Sequence, residues 1–349
     1  MSIFEARPYL LAGLLFFLSL VSVYLSLLIG PADIAAGQVY RALVYGAGLD
    51  GGIHPDSGVC LVVNDLRLSR TVLAWLAGAG LAVSGTVYQG ILRNPLADPF
   101  TLGVSSGAAF GAVLAIYLGW GTFSLAGISL DPIPAAALAG ALAALFTVVF
   151  MARENGYIRR DTLVLAGIVV ATFLGAFISL LKSLDEESVA GIVFWIMGSF
   201  QGRTWEHVFL FLPYFLVAVA VIFAFSRQLD ILSLGDTQAG QLGVNASRSR
   251  LVFLVASSLL AGAAVSVSGV IGFVGLVVPH LMRMISGAEH RQLVLNSALA
   301  GGVLLLWSDV LARSVMPYGA ELPVGVITAL LGGPFFCYLL RARSRREGL

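Results

Sequence analysis

The sequence predicts an all-α, polytopic membrane protein with about ten transmembrane helices and an inverted internal repeat. Three observations carry this. Hydrophobic residues make up 58% of the 349-residue chain, charged residues only 11%, and mean hydropathy is +0.94; a soluble domain carries roughly a quarter charged residues. Long alternating polar/apolar runs are absent, which argues for helices rather than a barrel. Glycine- and alanine-rich apolar stretches recur near the length of about 20 residues that crosses a bilayer, and two of them match each other.

In chain order, the first span covers residues 9–29, preceded by Arg7. No small-residue cleavage site stands out, so it reads as a retained helix rather than a signal peptide. A mixed loop follows over 30–65. Span 2 (66–91) is rich in glycine and alanine, which let helix backbones approach closely. It ends at a proline-broken elbow, Asn94-Pro95-Leu96-Ala97-Asp98-Pro99, where proline stops the helix and Asn94 and Asp98 can bond freed backbone groups. Span 3 covers 102–118 and span 4 covers 133–151. A basic loop, 153–161, leads to span 5 (162–181). Residues 189–200 are apolar but too short to cross and read as a half-helix, tolerable only where protein covers it. Span 6 (208–225) precedes a 25-residue polar insertion, 226–250. Spans 7, 8, 9 and 10 cover 251–270, 272–285, 293–311 and 323–340. One transmembrane domain is expected over 1–349, with repeat one at about 66–182, the insertion at 226–250 and repeat two at about 251–341.

Orientation follows from arginine and lysine placement, since basic residues concentrate in cytoplasmic loops. With both termini cytoplasmic, Arg7, Arg93, Arg153, Arg159, Arg160, Arg227, Arg248, Arg250, Arg283, Arg291, Arg341, Arg343, Arg345 and Arg346 fall inside. Arg41, Arg67, Arg70, Lys182, Arg203 and Arg313 fall outside.

Displacing the chain on itself by about 184 residues reveals the repeat. Leu76-Ala77-Gly78-Ala79 falls on Leu260-Ala261-Gly262-Ala263, and Val83-Ser84-Gly85 on Val267-Ser268-Gly269. Pro95 falls on Pro279 and Gly103 on Gly287. A weaker match pairs 165–178 with 323–336. The units begin five spans apart, and an odd separation inverts one against the other, an arrangement used by transporters.

The stretches RLSRTVLAWLAGAGLAVSGTVYQGILRNPLADPFTLGVSSG, SGVIGFVGLVVPHLMRMISGAEHRQLV and SDVLARSVMPYGAELPVGVITALLGGPFF closely resemble the FecCD/BtuC-type permeases, the membrane subunits of ABC importers for iron siderophores, haem and vitamin B12. WIMGSF (195–200) and LSLGDTQAGQLGV (232–244) fit the same pattern. The likeness runs from about 66 to 340. It implies a dimeric permease, most simply a homodimer, in the bacterial or archaeal cytoplasmic membrane. The partners implied are two cytoplasmic ATPase subunits, which bind ATP and Mg, and a periplasmic or lipid-anchored substrate-binding protein. No cofactor, metal or nucleic acid is implied for this chain.

The resemblance also implies site residues. Arg67, Arg70 and Arg313 match arginines that dock acidic residues of the binding protein, a task suited to an always-charged fork; snorkelling, or for Arg313 an i,i+4 pair with Asp309, would equally place them. In the insertion, two short helices are expected to engage the ATPase through Leu234, Gly235, Asp236, Ala239, Leu242, Gly243 and Val244. The glycines permit the turns, and Asp236 is placed to cap the second helix. Arg160 and Asp161 lie at the family's cytoplasmic gate, although small hydroxyl residues are usual there. Asn94, Pro95, Asp98, Pro99, Pro279 and His280 are expected as structural elbows; a lone helical histidine is a poor haem ligand.

Other readings fit less well. An ion-coupled secondary transporter also uses inverted repeats, but the spans carry almost no ionisable residue at mid-membrane. Residues 103–107 read G-x-S-x-G and 179–182 read S-x-x-K, yet the first opens a membrane helix and the second lacks its K-T-G partner. The single lysine, Lys182, is outside any phosphate-binding loop, so this chain hydrolyses no ATP. Cys60 and Cys337 suggest neither a disulfide nor a metal site. Ferric siderophore leads among the cargoes, with haem, corrinoid and oxyanion alternatives open.

Overall fold

The computed structural model describes residues 8–49, 56–125, 128–154 and 156–347. Arg7, and the side chains of Arg343, Arg345 and Arg346, lie outside the described residues. The helices are α1 (Pro8–Leu28), α2 (Ala36–Gly46), α3 (Ser57–Leu92), α4 (Val104–Tyr117), α5 (Pro132–Ala152), α6 (Arg160–Leu184), α7 (Val189–Ile196), α8 (Trp205–Ala224), α9 (Ser226–Leu234), α10 (Asp236–Gln241), α11 (Ala246–Ser268), α12 (Val274–Ser286), α13 (His290–Ser314) and α14 (Val324–Glu347). Two small antiparallel hairpins interrupt them, β1 (Phe123–Leu125) with β2 (Ile128–Leu130) and β3 (Arg153–Glu154) with β4 (Tyr157–Ile158).

Apolar helices stand at all ten predicted spans. Among the described residues, seven are long and apolar enough to cross a membrane (α1, α3, α5, α6, α8, α11 and α13), while α4, α12 and the apolar part of α14 are shorter. The loop expected over 30–65 is largely helical. It holds α2 and the first turns of α3, whose segment Leu61–Leu68 is π-helical. Two of its polar residues, Asp56 and Asn64, look loop-like in sequence yet are bonded within the segment. Asp56 accepts from the Gly58 N–H, and the Asn64 amide donates to the Ala42 carbonyl of α2. Beneath them Leu27, Val39, Ala42 and Val63 close a small apolar core.

α3, α11 and α13 form the buried centre, whereas α1, α5, α6 and α8 turn most of their surface outward. The outward side chains are large and apolar, such as Phe150, Phe173, Phe209 and Leu216, as lipid contact requires. Packing inside follows the repeat. α3 lies along α13 and α11 lies along α5, pairings that exchange when spans 2 and 4 are swapped for 7 and 9; α3 and α11 also meet directly. At the first contact Gly78 and Gly301 face each other so closely that a Cβ on either would strike the other's carbonyl oxygen. At the second, Gly262, the repeat partner of Gly78, lies against the Ala141 methyl. Small residues thus set the interhelical distance in both halves.

Candidate functional site

The insertion 226–250 folds as two short helices joined by a glycine turn. Gly235 ends α9 at φ +137°, and Gly243 follows α10 at φ +79°, conformations that disfavour a side chain. Asp236 opens α10 but does not cap it; the cap position is Gly235. Instead Asp236 accepts two hydrogen bonds from the Arg250 guanidinium, at 2.8 and 3.0 Å, while Arg160 approaches at 3.6 Å. The cap expectation fails because Arg250 is almost fully buried and needs a carboxylate more than the first turn does.

Further bonds fix the segment to the helix bundle. Arg93, just past α3, donates to the Leu232 carbonyl from Nε at 3.1 Å and Nη2 at 2.7 Å. Burial and the neighbouring Arg160 push its guanidinium below the ordinary value. Asp230 of α9 takes the His290 backbone N–H at 3.0 Å and lies 2.6 Å from His290 Nδ1. Gln228 bonds Ser249 at 2.9 Å. Four elements therefore hold α9 and α10 in place: the end of α3 and the starts of α6, α11 and α13. Ala239 is packed inward, Val244 is half-buried, and Leu234 and Leu242 are 60% and 59% exposed. Two large apolar side chains face outward beside the exposed Arg227, Thr237, Gln238 and Gln241, on a segment that Gln228, Asp230 and Asp236 bond inward.

Asp161 is exposed in the first turn of α6, beside the inward-turned Arg160. The elbow before α4 is built by its own polar residues. Asn94 Oδ1 accepts from Leu96 N at 3.0 Å; Asp98 Oδ1 accepts from Phe100 N at 3.1 Å and Thr101 N at 3.0 Å. Burial outweighs those two bonds and pushes the Asp98 carboxyl up to about 6. Pro95 and Pro99 lie in this turn, while Pro279 and His280 lie inside α12, where Pro279 is buried.

At the opposite end of the bundle the three singled-out arginines are engaged within the chain. Arg67 donates to the Leu27 and Ala32 carbonyls. Arg313 donates to the Ser26 carbonyl at 2.8 Å and passes 3.8 Å from Asp309. Arg70 forks onto Asp309 and also reaches Glu321 at 2.9 Å. Each of these side chains is at most 11% exposed. Glu321, Arg93, Asp230 and His290 complete the two networks and carried no signal in sequence, because their partners lie 60 to 251 residues away.

The comparisons with known proteins agree with this architecture. Residues 17–342 match the FecCD transport family. The chain is 44% identical to the cobalamin import permease BtuC of Halobacterium salinarum over 90% of its length and 82% of that protein. It is also 44% identical to the hemin transport permease HmuU of Yersinia pestis, over 81% and 84%. A solved inward-facing structure assigned to the metal-chelate type of ABC transporter superposes with a TM-score of 0.81 at 34% identity, covering 96% of this chain and all of that one. With matched helices along nearly its whole length, the chain belongs to the FecCD transport family and is a multi-pass membrane permease of that ABC-transporter type.

Proposed function

We propose that this chain forms a homodimeric permease in the cytoplasmic membrane of a bacterium or archaeon, with both termini cytoplasmic. It would import a bulky metal chelate by alternating access, driven by two partner ATPases that hold ATP and Mg. A ferric siderophore leads as cargo on family grounds, and the relatives named for cobalamin and hemin keep those chelates open. A periplasmic or lipid-anchored binding protein would deliver it.

The observation that carries this reading is the pair Leu234 and Leu242, exposed on a segment that Gln228, Asp230 and Asp236 tie to the helix bundle. A rigid segment presenting apolar side chains outside the bilayer suits a protein partner. Gly235, Asp236, Ala239, Gly243 and Val244 shape that surface. Arg160 and Asp161 are assigned to the gate; the approach of Arg160 to Asp236 would tie gate movement to the ATPase contact. The docking role of Arg67, Arg70 and Arg313 rests on the resemblance. A docking carboxylate would have to compete with Glu321 for Arg70, which is already bonded inside the chain. The test is co-purification of the ATPase with a Leu234→Asp, Leu242→Asp double variant. Loss of the ATPase with unchanged permease melting is expected, and full retention would overturn the assignment.

A further inference from the structure

The start of α13 carries a cation and a carboxylate that neither network described above uses. Arg291 is exposed, and none of the ion pairs among the described residues includes it. Its guanidinium lies over the Phe223 ring of α8, 5.4 Å from the centroid. That attraction orients the cation, while its N–H groups meet no acceptor among the described residues. Glu289 is exposed as well, and its Oε2 accepts from Gln292 Nε2 at 2.8 Å, so Oε1 stays open. His290, between the two, is held to Asp230 through its backbone N–H and its ring. Both open charges therefore stand on a turn whose position is fixed.

Glu289, Arg291 and Phe223 line one cleft of about 110 Å³, where the start of α1, the end of α8 and the start of α13 adjoin. Tyr9, Ala12 and Leu295 form its other walls. Tyr9, Phe223 and Leu295 are all exposed, so the cleft opens onto the outward, apolar surface of α1 and α8. Tyrosine and arginine at helix ends are the side chains that settle at headgroup depth in a bilayer. The cleft is smaller than the roughly 300–1,000 Å³ that encloses a whole ligand; it suits a polar head whose tails lie outside. One open cation beside one open carboxylate is complementary to a head of both signs. A head carrying phosphate alone would set its charge against Glu289.

We propose that this cleft binds the zwitterionic phosphoethanolamine head of a bilayer lipid. The phosphate meets the Arg291 guanidinium, the ammonium meets Glu289 Oε1, and the acyl chains run along Ala12, Phe223 and Leu295. The bound lipid fastens α1 to α8 and α13 beside the Asp230–His290 tie that seats α9. Its leaflet, but not the site, rests on the orientation proposed above, which puts Arg291 on the cytoplasmic side. The site is independent of which chelate the permease moves.

The experiment is isothermal titration of the purified full-length chain in detergent with two monomeric probes. Dihexanoyl-phosphatidylethanolamine carries both charges; dihexanoyl-phosphatidylglycerol carries the phosphate without the ammonium. Saturable binding of the ethanolamine lipid, several-fold tighter than that of the glycerol lipid, is expected. Arg291→Gln should raise the Kd for the ethanolamine lipid at least about tenfold, the loss of one charge-assisted contact, with melting unchanged. Glu289→Gln should raise it several-fold and abolish the preference over the glycerol lipid, whereas a merely structural role for Glu289 would move both lipids alike. Should Arg291→Gln fail to fold, Glu289→Gln decides. Equal wild-type affinity for the two lipids would overturn the proposal. So would heat that never saturates, the mark of general lipid contact, or wild-type affinity in the folded variants.

Discussion

Arg70 grips Asp309 as a fork across 239 residues of sequence, with Nε 3.1 and 3.0 Å from the two carboxylate oxygens and Nη2 2.8 Å from one of them. Asp309 is only 2% exposed, so its charge depends on this fork. Arg70→Met should destabilise the chain by about 3–5 kcal/mol, the usual result of stranding one buried charge. Arg313, 3.8 Å away, offsets part of that and places the effect at the lower end. Adding Asp309→Leu should recover part of the loss, because the buried Asp309 charge is gone, while Glu321 and Arg313 still lack the partners that Arg70 and Asp309 gave them. Thermal unfolding in detergent measures both; equal melting of the single and double variants would contradict the coupling.

The contact of Gly78 with Gly301 leads to a second expectation. A Cβ at Gly78 would meet the Gly301 carbonyl and the Leu305 Cβ, both parts of α13 that cannot rotate aside. Gly78→Val should therefore separate α3 from α13 and lower stability by at least the ~1–3 kcal/mol of an overpacked core. Gly13→Val is the control, since nothing lies near a Cβ at that position. Comparable folded yield for the two variants on gel filtration would argue against close packing as the reason for glycine at position 78.

Asp98 provides a pH dependence. Its folded-state carboxyl is raised to about 6 from 3.8, mainly by burial. The folded state then binds more protons than the unfolded state between those values, so stability falls as pH rises through that window and levels off above it. Asp98→Asn keeps an oxygen for the Phe100 and Thr101 N–H groups and cannot ionise. It should match the wild type near pH 4 and exceed it above pH 7 by on the order of 1–3 kcal/mol. Melting curves at pH 4.5 and 7.5 check the sign. A larger advantage at the lower pH would remove burial as the cause.

The contrast between what the sequence revealed and what it hid has a physical cause. Spans such as 9–29 and 133–151 were legible because lipid imposes a length and a composition on each helix by itself. The repeat was legible because Gly78 and Gly262 answer the same packing demand at one offset. α2 and the π-helical start of α3 were not, because Asn64 looks like a loop residue until its amide meets the Ala42 carbonyl of α2. The networks at the two ends were hidden for a related reason. Arg70 and Arg250 each show a charge in sequence, but whether that charge meets solvent, a partner protein or Asp309 is decided by tertiary contacts. The two short helices of 226–250 were foreseen through the resemblance, whereas the use of Asp236 as a hub was not.

That hub leads to the remaining expectation. Asp236 is the carboxylate that Arg250 meets at hydrogen-bonding distance, and Arg160 approaches the same oxygen. Asp236→Ala would leave Arg250, 2% exposed, with the Ile158 carbonyl as its remaining bond. It would also bring the Arg93, Arg160 and Arg250 charges together without a counter-ion, and these already depress Arg93. α10 would lose its tie to α11, whereas α9 would keep the Arg93–Leu232 and Asp230–His290 bonds. Amide exchange should therefore rise at least tenfold over 236–245 and stay near wild type over 226–234. Since about 1.4 kcal/mol corresponds to a factor of ten, that rise reports the loss of one charge-assisted bond of about 1.5–3 kcal/mol. Uniform acceleration across both helices would mean that the segment opens as one unit, and Asp236 would then have no separate role in holding α10.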